Sequence, residues 1–294
     1  MQKISTHLWY DKEALESAEL YSSIFADSGV TGVTTIHDTP SGDADIVSMR
    51  ILGQDFMLIN AGPYFKFTPA ISMFVACSSV EEAEKIWKEI SNGGDVLMEL
   101  GAYPFSKKYG WTTDKYGLSW QVMFMEDMPI TQKIIPTLMF TGGNAGKAEE
   151  AMNYYTSVFN NSRITEIARY EEGESEFDKV GTVKHAGFVL EGVGFAAMDS
   201  AYNHGFTFNE AISFIINCTD QEEIDYYWEK LSAVPEAEQC GWLKDKYGVS
   251  WQIVPEVMNI MLGSGNKDKI AKVTEAFLKM KKFDIAKLEE AYNN

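Results

Sequence analysis

The stretch Trp242-Leu-Lys-Asp-Lys-Tyr-Gly-Val-Ser-Trp-Gln252 repeats Trp111-Thr-Thr-Asp-Lys-Tyr-Gly-Leu-Ser-Trp-Gln121. Eight of eleven positions are identical across an offset of 131 residues, and one of the three differences is Leu for Val. Two Trp, a Tyr and a Gly held at fixed spacing do not recur by chance. The chain is a tandem duplication, which fixes the fold problem as one supersecondary unit used repeatedly. Its 294 residues have room for about two domains, as the repeat length requires.

Periodicity gives the unit. Lys3–Asp11 alternates as a strand, and Glu13–Phe25 places Ala14, Ala18, Tyr21, Ile24 and Phe25 on one helical face. Val30–His37, Asp45–Leu52 and Phe56–Asn60 read as three strands, broken by Pro40-Ser41-Gly42-Asp43 and by Gly53. The pattern βαβββ then recurs: an apolar strand at Ala70–Cys77, and a helix opened by the capping box Ser79-Val-Glu-Glu82. Strands at Val96–Leu100, Lys108–Thr112 and Leu118–Met125 complete it.

The second copy repeats the order. It has a strand at Ile134–Phe140, a helix at Lys147–Phe159, and strands at Ile164–Glu171, Val180–Leu190 and Phe195–Asp199. Ala211-Ile-Ser213 answers Ala70-Ile-Ser72, Thr219–Glu222 caps the next helix, and Trp228 answers Trp87 in an equivalent core. After Pro255 the repeat ends. Lys267–Lys282 and Asp284–Tyr292 read as amphipathic helices with a basic outer face, expected to dock on the chain's own acidic domains, with a membrane or partner surface as the alternative. The expected fold class is α+β, two tandem domains (1–128 and 133–256) of paired βαβββ units, each forming a curved sheet with helices outside, followed by a helical tail (257–294).

Composition narrows the partners. A formal net charge of −18 repels phosphate backbones and anionic lipid, so neither nucleic acid nor membrane is an expected partner. No signal-like segment opens the chain, and no uncharged apolar run reaches the ~18 residues of a span. Cys77 and Cys218 sit at matching places in apolar strands. With Cys240 they make an odd set without C-x-x-C spacing. Buried structural thiols in a reducing cytoplasm are the expectation, with a reactive Cys240 beside Gly241 and Trp242 as the alternative.

Five stretches of repeat two carry a family resemblance: Gly142-Gly-Asn-Ala, Glu150-Ala-Met-Asn-Tyr-Tyr155, Phe208-Asn-Glu-Ala-Ile-Ser-Phe214, Asp225-Tyr-Tyr-Trp-Glu-Lys-Leu231 and Cys240–Gln252. With the paired βαβββ order they resemble the PhnB-like branch of the glyoxalase/bleomycin-resistance (vicinal oxygen chelate) superfamily, over residues 1–255. Some members of that branch carry the label 3-demethylubiquinone methyltransferase-like. No Gly-rich loop after a strand is placed to seat an adenosyl group, and βαβββ is not the alternating α/β order such folds use, so methyl transfer is not expected. Gly142-Gly-Asn-Ala-Gly146-Lys147-Ala148 has one residue too few between its outer glycines for a phosphate loop and lacks the metal-binding hydroxyl.

The resemblance implies a metal held by a first-strand His or Gln, a fourth-strand Glu, and a Glu seven residues after the turn Asp. Seven residues from Asp114 stands Gln121, and seven from Asp245 stands Gln252. Amides are neutral and weak ligands, so the charge that would hold a divalent ion is missing. The first-strand position falls near Ser5 and Ile135, with His7 on the same face as Ser5. The fourth strand offers Met57–Asn60 or Ala197–Asp199. A reduced metal site of His185, Asp199 and Gln252 is one possibility; a hydrogen-bonded core His185 is the other.

The remaining signal is aromatic: Trp111, Trp120, Tyr116 and their counterparts Trp242, Trp251 and Tyr247 gather around each closing strand. Alternation puts Ser250 and Gln252 on one face and Trp251 on the helix-packed other. No cofactor is expected. The leading expectation is a metal-free binder of a small planar or hydrophobic molecule, using His7, Trp111, Gln121, His185, Asp199, Trp242, Ser250 and Gln252. A metal-dependent lyase, isomerase or dioxygenase and a non-catalytic scaffold are the alternatives. Relatives with one domain pair two copies. This chain can satisfy that pairing internally, which predicts a monomer or weak homodimer.

Overall fold

A computed structural model describes residues 2–39 and 42–294, without the side chain of Asp38. Pro40 and Ser41 of the expected turn lie outside the described residues. The first unit of repeat one is β1 (Ile4–Tyr10), α1 (Ala14–Ile24), β2 (Gly29–Thr39), β3 (Gly42–Ile51) and β4 (Gln54–Asn60). Its second unit is β5 (Ile71–Cys77), α2 (Val80–Ile90), β6 (Val96–Tyr103), β7 (Ser106–Thr113) and β8 (Ser119–Phe124). Repeat two supplies β9 (Ile134–Thr141), α3 (Ala148–Val158), β10 (Arg163–Arg169), β11 (Val183–Leu190) and β12 (Val193–Ser200). It continues with β13 (Ile212–Cys218), α4 (Gln221–Leu231), β14 (Trp242–Lys244) and β15 (Ser250–Pro255), and the tail forms α5 (Glu256–Leu262), α6 (Lys267–Phe277) and α7 (Ile285–Asn293). Among the described residues, no helix is long and apolar enough to cross a membrane.

Each sheet pairs one unit from each repeat, four strands with four in one sheet and four with three in the other. One sheet runs β14-β15-β13-β1-β4-β3-β2, the other β10-β11-β12-β9-β5-β8-β7-β6. The chain accordingly divides into two compact units that cut across the repeats. Unit one is Met1–Leu20, Ser28–Lys66 and Asn209–Asn294; unit two is Tyr21–Asp27 and Phe67–Phe208. The join in unit one is β1 antiparallel to β13, with His7 opposite Ser213. In unit two β9 meets β5 in the same way, with Thr137 opposite Ser72.

Helix starts follow cap chemistry. Ser79 Oγ accepts the Glu82 amide at 3.1 Å, while the Glu82 carboxylate reaches back to Ser78 N at 2.7 Å. In repeat two the cap is Asp220, one residue beyond the expected Thr219. It accepts from Glu223 N at 2.9 Å, and Glu223 reaches back to Thr219 N at 2.8 Å. Both arrangements satisfy amides that the first helical turn leaves unpaired.

Among the described residues, repeat two has no counterpart of β6, and the tail takes that edge. Cys240 N donates to Met280 O at 2.9 Å and Gly241 N to Lys281 O at 2.7 Å. Gln221 brackets the same segment, donating to Phe283 O at 3.1 Å and accepting from Ile285 N at 3.0 Å. Lys281 pairs with Glu238 at 3.2 Å and Lys282 with Asp225 at 2.5 Å, so part of the basic face meets acidic neighbours as charge patterning predicts. A methyl on Gly110 would sit 2.5 Å from Trp87; a methyl on the matching Gly241 would sit 2.5 Å from Phe283 of the tail instead. Gly241 also holds φ +82. Replacing Gly241 with Ala is therefore expected to release the tail and cost more than about 1 kcal/mol in urea unfolding; an unchanged midpoint would contradict this packing.

Candidate functional site

The repeated motif is built around its aspartate. Asp114 Oδ1 accepts from Tyr116 N at 2.9 Å and Leu118 N at 3.1 Å; its Oδ2 accepts from Trp120 Nε1 at 2.9 Å and Tyr21 Oη at 2.6 Å. Asp245 repeats the turn, accepting from Tyr247 N, Val249 N and Trp251 Nε1 at 2.9, 3.1 and 2.9 Å. Trp120 and Trp251 are fully buried on the helix face. Alternation then sends Gln121 and Gln252 to the opposite, inner face of each sheet. Both are buried there. Gln121 Nε2 donates to Ser72 Oγ at 2.6 Å while its Oε1 accepts from Tyr109 Oη at 2.8 Å, and Gln252 Nε2 donates to Ser213 Oγ at 3.0 Å.

On the inner face of unit one, register lines up His7, Ser213 and Ser250 across β1, β13 and β15. Trp242 on β14 stands opposite Gln252. Its ring meets the edge of His7 at 5.2 Å and of Trp9 at 6.0 Å, and Trp9 in turn meets Phe65 at 5.0 Å. Trp9 is fixed by a 2.8 Å hydrogen bond from Nε1 to Gly62 O. The result is a polar floor beneath an aromatic wall. Lys244 is neutralised by Glu210 at 2.7 Å. Two floor atoms, His7 Nδ1 and Ser250 Oγ, are buried without a hydrogen-bond partner. Burial pushes the His7 imidazole down to about 3, so the ring is neutral at pH 7.

Sequence reasoning named His7, Trp242, Ser250 and Gln252, which the fold brings together. It missed Trp9, Phe65 and Ser213, although Trp9 shares the face of His7 by simple alternation. Trp111, Ser119 and Gln121 form the corresponding corner of unit two, where Trp111 Nε1 donates to Ser119 Oγ at 2.8 Å.

His185, Asp199 and Gln252 are divided between the two compact units. His185 and Asp199 lie in unit two, whereas Gln252 lies in unit one. They also occupy opposite faces of their own sheet: Asp199 shares the helix face with Phe195, and His185 does not. Asp199 is a helix cap. Its Oδ1 accepts from Gly146 N at 2.8 Å and Ala148 N at 3.0 Å, and its Oδ2 from Val183 N at 3.0 Å. The matching Asn60 accepts from Ala14 N at 2.7 Å at the start of α1, so the fourth-strand position serves the helix start in both repeats. His185 is not the core residue expected of it. Its side chain is 47% exposed, with Nδ1 3.9 Å from Glu166.

Among the described residues gathered here, the donors are a poor match for a catalytic divalent ion. Gln121 uses both ends of its amide on Ser72 and Tyr109. The inner face of unit one offers one neutral imidazole, an amide and hydroxyls. Among the described residues, no three His, Cys, Asp or Glu side chains converge. A catalytic metal is held by about three strong ligands, usually including anionic oxygen or several imidazoles. Burial pushes Cys77 and Cys218 up to about 12 and raises Cys240 as well, which opposes the thiolate a reactive cysteine needs.

None of the curated proteins matches the chain. The family profile described as 3-demethylubiquinone-9 3-methyltransferase matches twice, at residues 2–123 and 132–254. A PhnB protein from Bacillus cereus, whose description carries the same methyltransferase name, is 36% identical over 42% of this chain and 99% of its own, with a TM-score of 0.40. A glyoxalase I mutant from Zea mays is 14% identical over 86% of this chain and 95% of its own, with a TM-score of 0.52, and so shares the fold. The chain belongs to the PhnB-like family described as 3-demethylubiquinone-9 3-methyltransferase, present in two tandem copies on the vicinal oxygen chelate fold.

Proposed function

We propose that this protein binds a small, neutral, planar or hydrophobic molecule on the inner face of unit one, without a metal ion. The carrying observation is the pair of partnerless buried atoms, His7 Nδ1 and Ser250 Oγ, beneath Trp242 and Trp9. A buried polar atom left unpaired costs about 1–3 kcal/mol, which a ligand carbonyl, amide or hydroxyl would recover on binding. The aromatic wall supplies the flat apolar contact. Neutrality of the ligand is supported by a neutral His7 and by Lys244 already paired with Glu210. The methyltransferase name of the family is not carried over, because paired βαβββ units provide no adenosyl-binding loop.

A thermal-shift screen of neutral heteroaromatic compounds tests this reading. Hits are expected to raise the melting temperature of the wild type in the presence of EDTA, and Trp242→Ala is expected to weaken their binding by at least about tenfold in calorimetry. A screen in which only divalent metals shift the transition would favour the metal-dependent lyase, isomerase or dioxygenase alternative. Hits that bind Trp242→Ala as tightly as wild type would place the ligand elsewhere.

A further inference from the structure

A concavity in unit one lies between β2 and the tail helices, with a volume of about 790 Å³. That lies within the range of small-molecule sites, about 300–1,000 Å³. Its apolar lining comes from Val33, Leu262, Ile270 and Leu278. Thr274 also lines it, and the buried Thr274 Oγ1 has no hydrogen-bond partner. Four side chains that carry or can acquire charge line the groove, and two are already matched: His37 with Asp43 at 2.9 Å and Glu275 with Lys279 at 2.7 Å. The other two, Lys267 and Lys272, have no carboxylate partner among the described residues.

We propose that this groove binds an amphiphile with a single anionic head and an unbranched apolar body, of the medium-chain carboxylate type. Val33, Ile270, Leu262 and Leu278 receive the body, and Lys267 and Lys272 flank the head. The site is separate from the His7–Trp242 floor, so it stands or falls independently of the reading above.

Calorimetry with decanoate, decanol and acetate on the full chain tests it. Decanoate is expected to bind one per chain, with decanol at least about tenfold weaker and acetate showing no heat, because head and body are both needed. The double variant Lys267→Gln/Lys272→Gln, at two exposed positions, is expected to weaken decanoate by about tenfold or more while leaving the urea midpoint unchanged. Ala271→Trp is expected to fill the groove and block decanoate, while Trp242→Ala leaves decanoate binding intact. Equal affinity for decanol and decanoate, unchanged binding in the double lysine variant, loss of decanoate binding in a folded Trp242→Ala, or no binding at all would each overturn the proposal.

Discussion

Replacing Asp114 or Asp245 with Ala is expected to lower unfolding stability by about 3–5 kcal/mol in urea titrations. The size follows from the donors stranded. At Asp114 these are two backbone amides, the Trp120 indole and the Tyr21 hydroxyl; at Asp245 they include two amides and the Trp251 indole. Every one of these donors points at a carboxylate that Ala removes, and a buried unpaired donor costs about 1–3 kcal/mol. Asn in place of Asp114 preserves shape and one acceptor but presents an NH₂ group to two of the four donors, so a loss of about 2 kcal/mol is expected. Stability unchanged to within ~0.5 kcal/mol in the Ala variants would show that the repeated aspartate does not hold the closing turn.

Acidification should destabilise the protein between pH 6.5 and pH 3, with His7 as the largest single cause. In the unfolded chain the imidazole takes a proton near its ordinary value of 6.5, whereas in the folded chain burial delays protonation to about 3. Between those values the unfolded state holds the extra proton, so stability is full above pH 6.5 and is lost as pH falls. The slope approaches about 1.4 kcal/mol per pH unit, or about 2 kcal/mol between pH 7 and pH 5. His204 is also held below the ordinary value by desolvation and adds in the same direction. In His7→Leu the loss from pH 7 to pH 5 is expected to shrink by most of that amount. Equal pH dependence in wild type and variant would mean that the His7 ring reaches solvent in the folded protein.

The closing-strand motif was the most legible part of the chain. Its Asp, Gly and Trp spacing fixed the turn, and strand alternation placed Trp120 and Trp251 on the helix face and both Gln on the other. The exchange of units between repeats was not legible. Ala70-Ile-Ser72 and Ala211-Ile-Ser213 are identical, so β1 and β9 find the same pairing partner in either repeat and local sequence cannot choose. Asp199 was misread because an acidic residue on the fourth strand suggested a ligand, while its parity with Phe195 already assigned it to the helix side. The tail's use of Phe283 against Gly241 had no periodic signal at all, since it replaces a strand that repeat two lacks.

Histidine-selective ¹⁵N NMR of His7 in the ligand-bound protein, before and after prolonged treatment with a chelator, addresses the central claim most directly. A neutral ligand seated over Ser250 and Trp242 should move the His7 Nδ1 resonance and leave it moved when divalent ions are stripped. A His7 signal that changes on chelation and returns only when a metal is added back would mean that the imidazole holds an ion, and the metal-free account would be wrong.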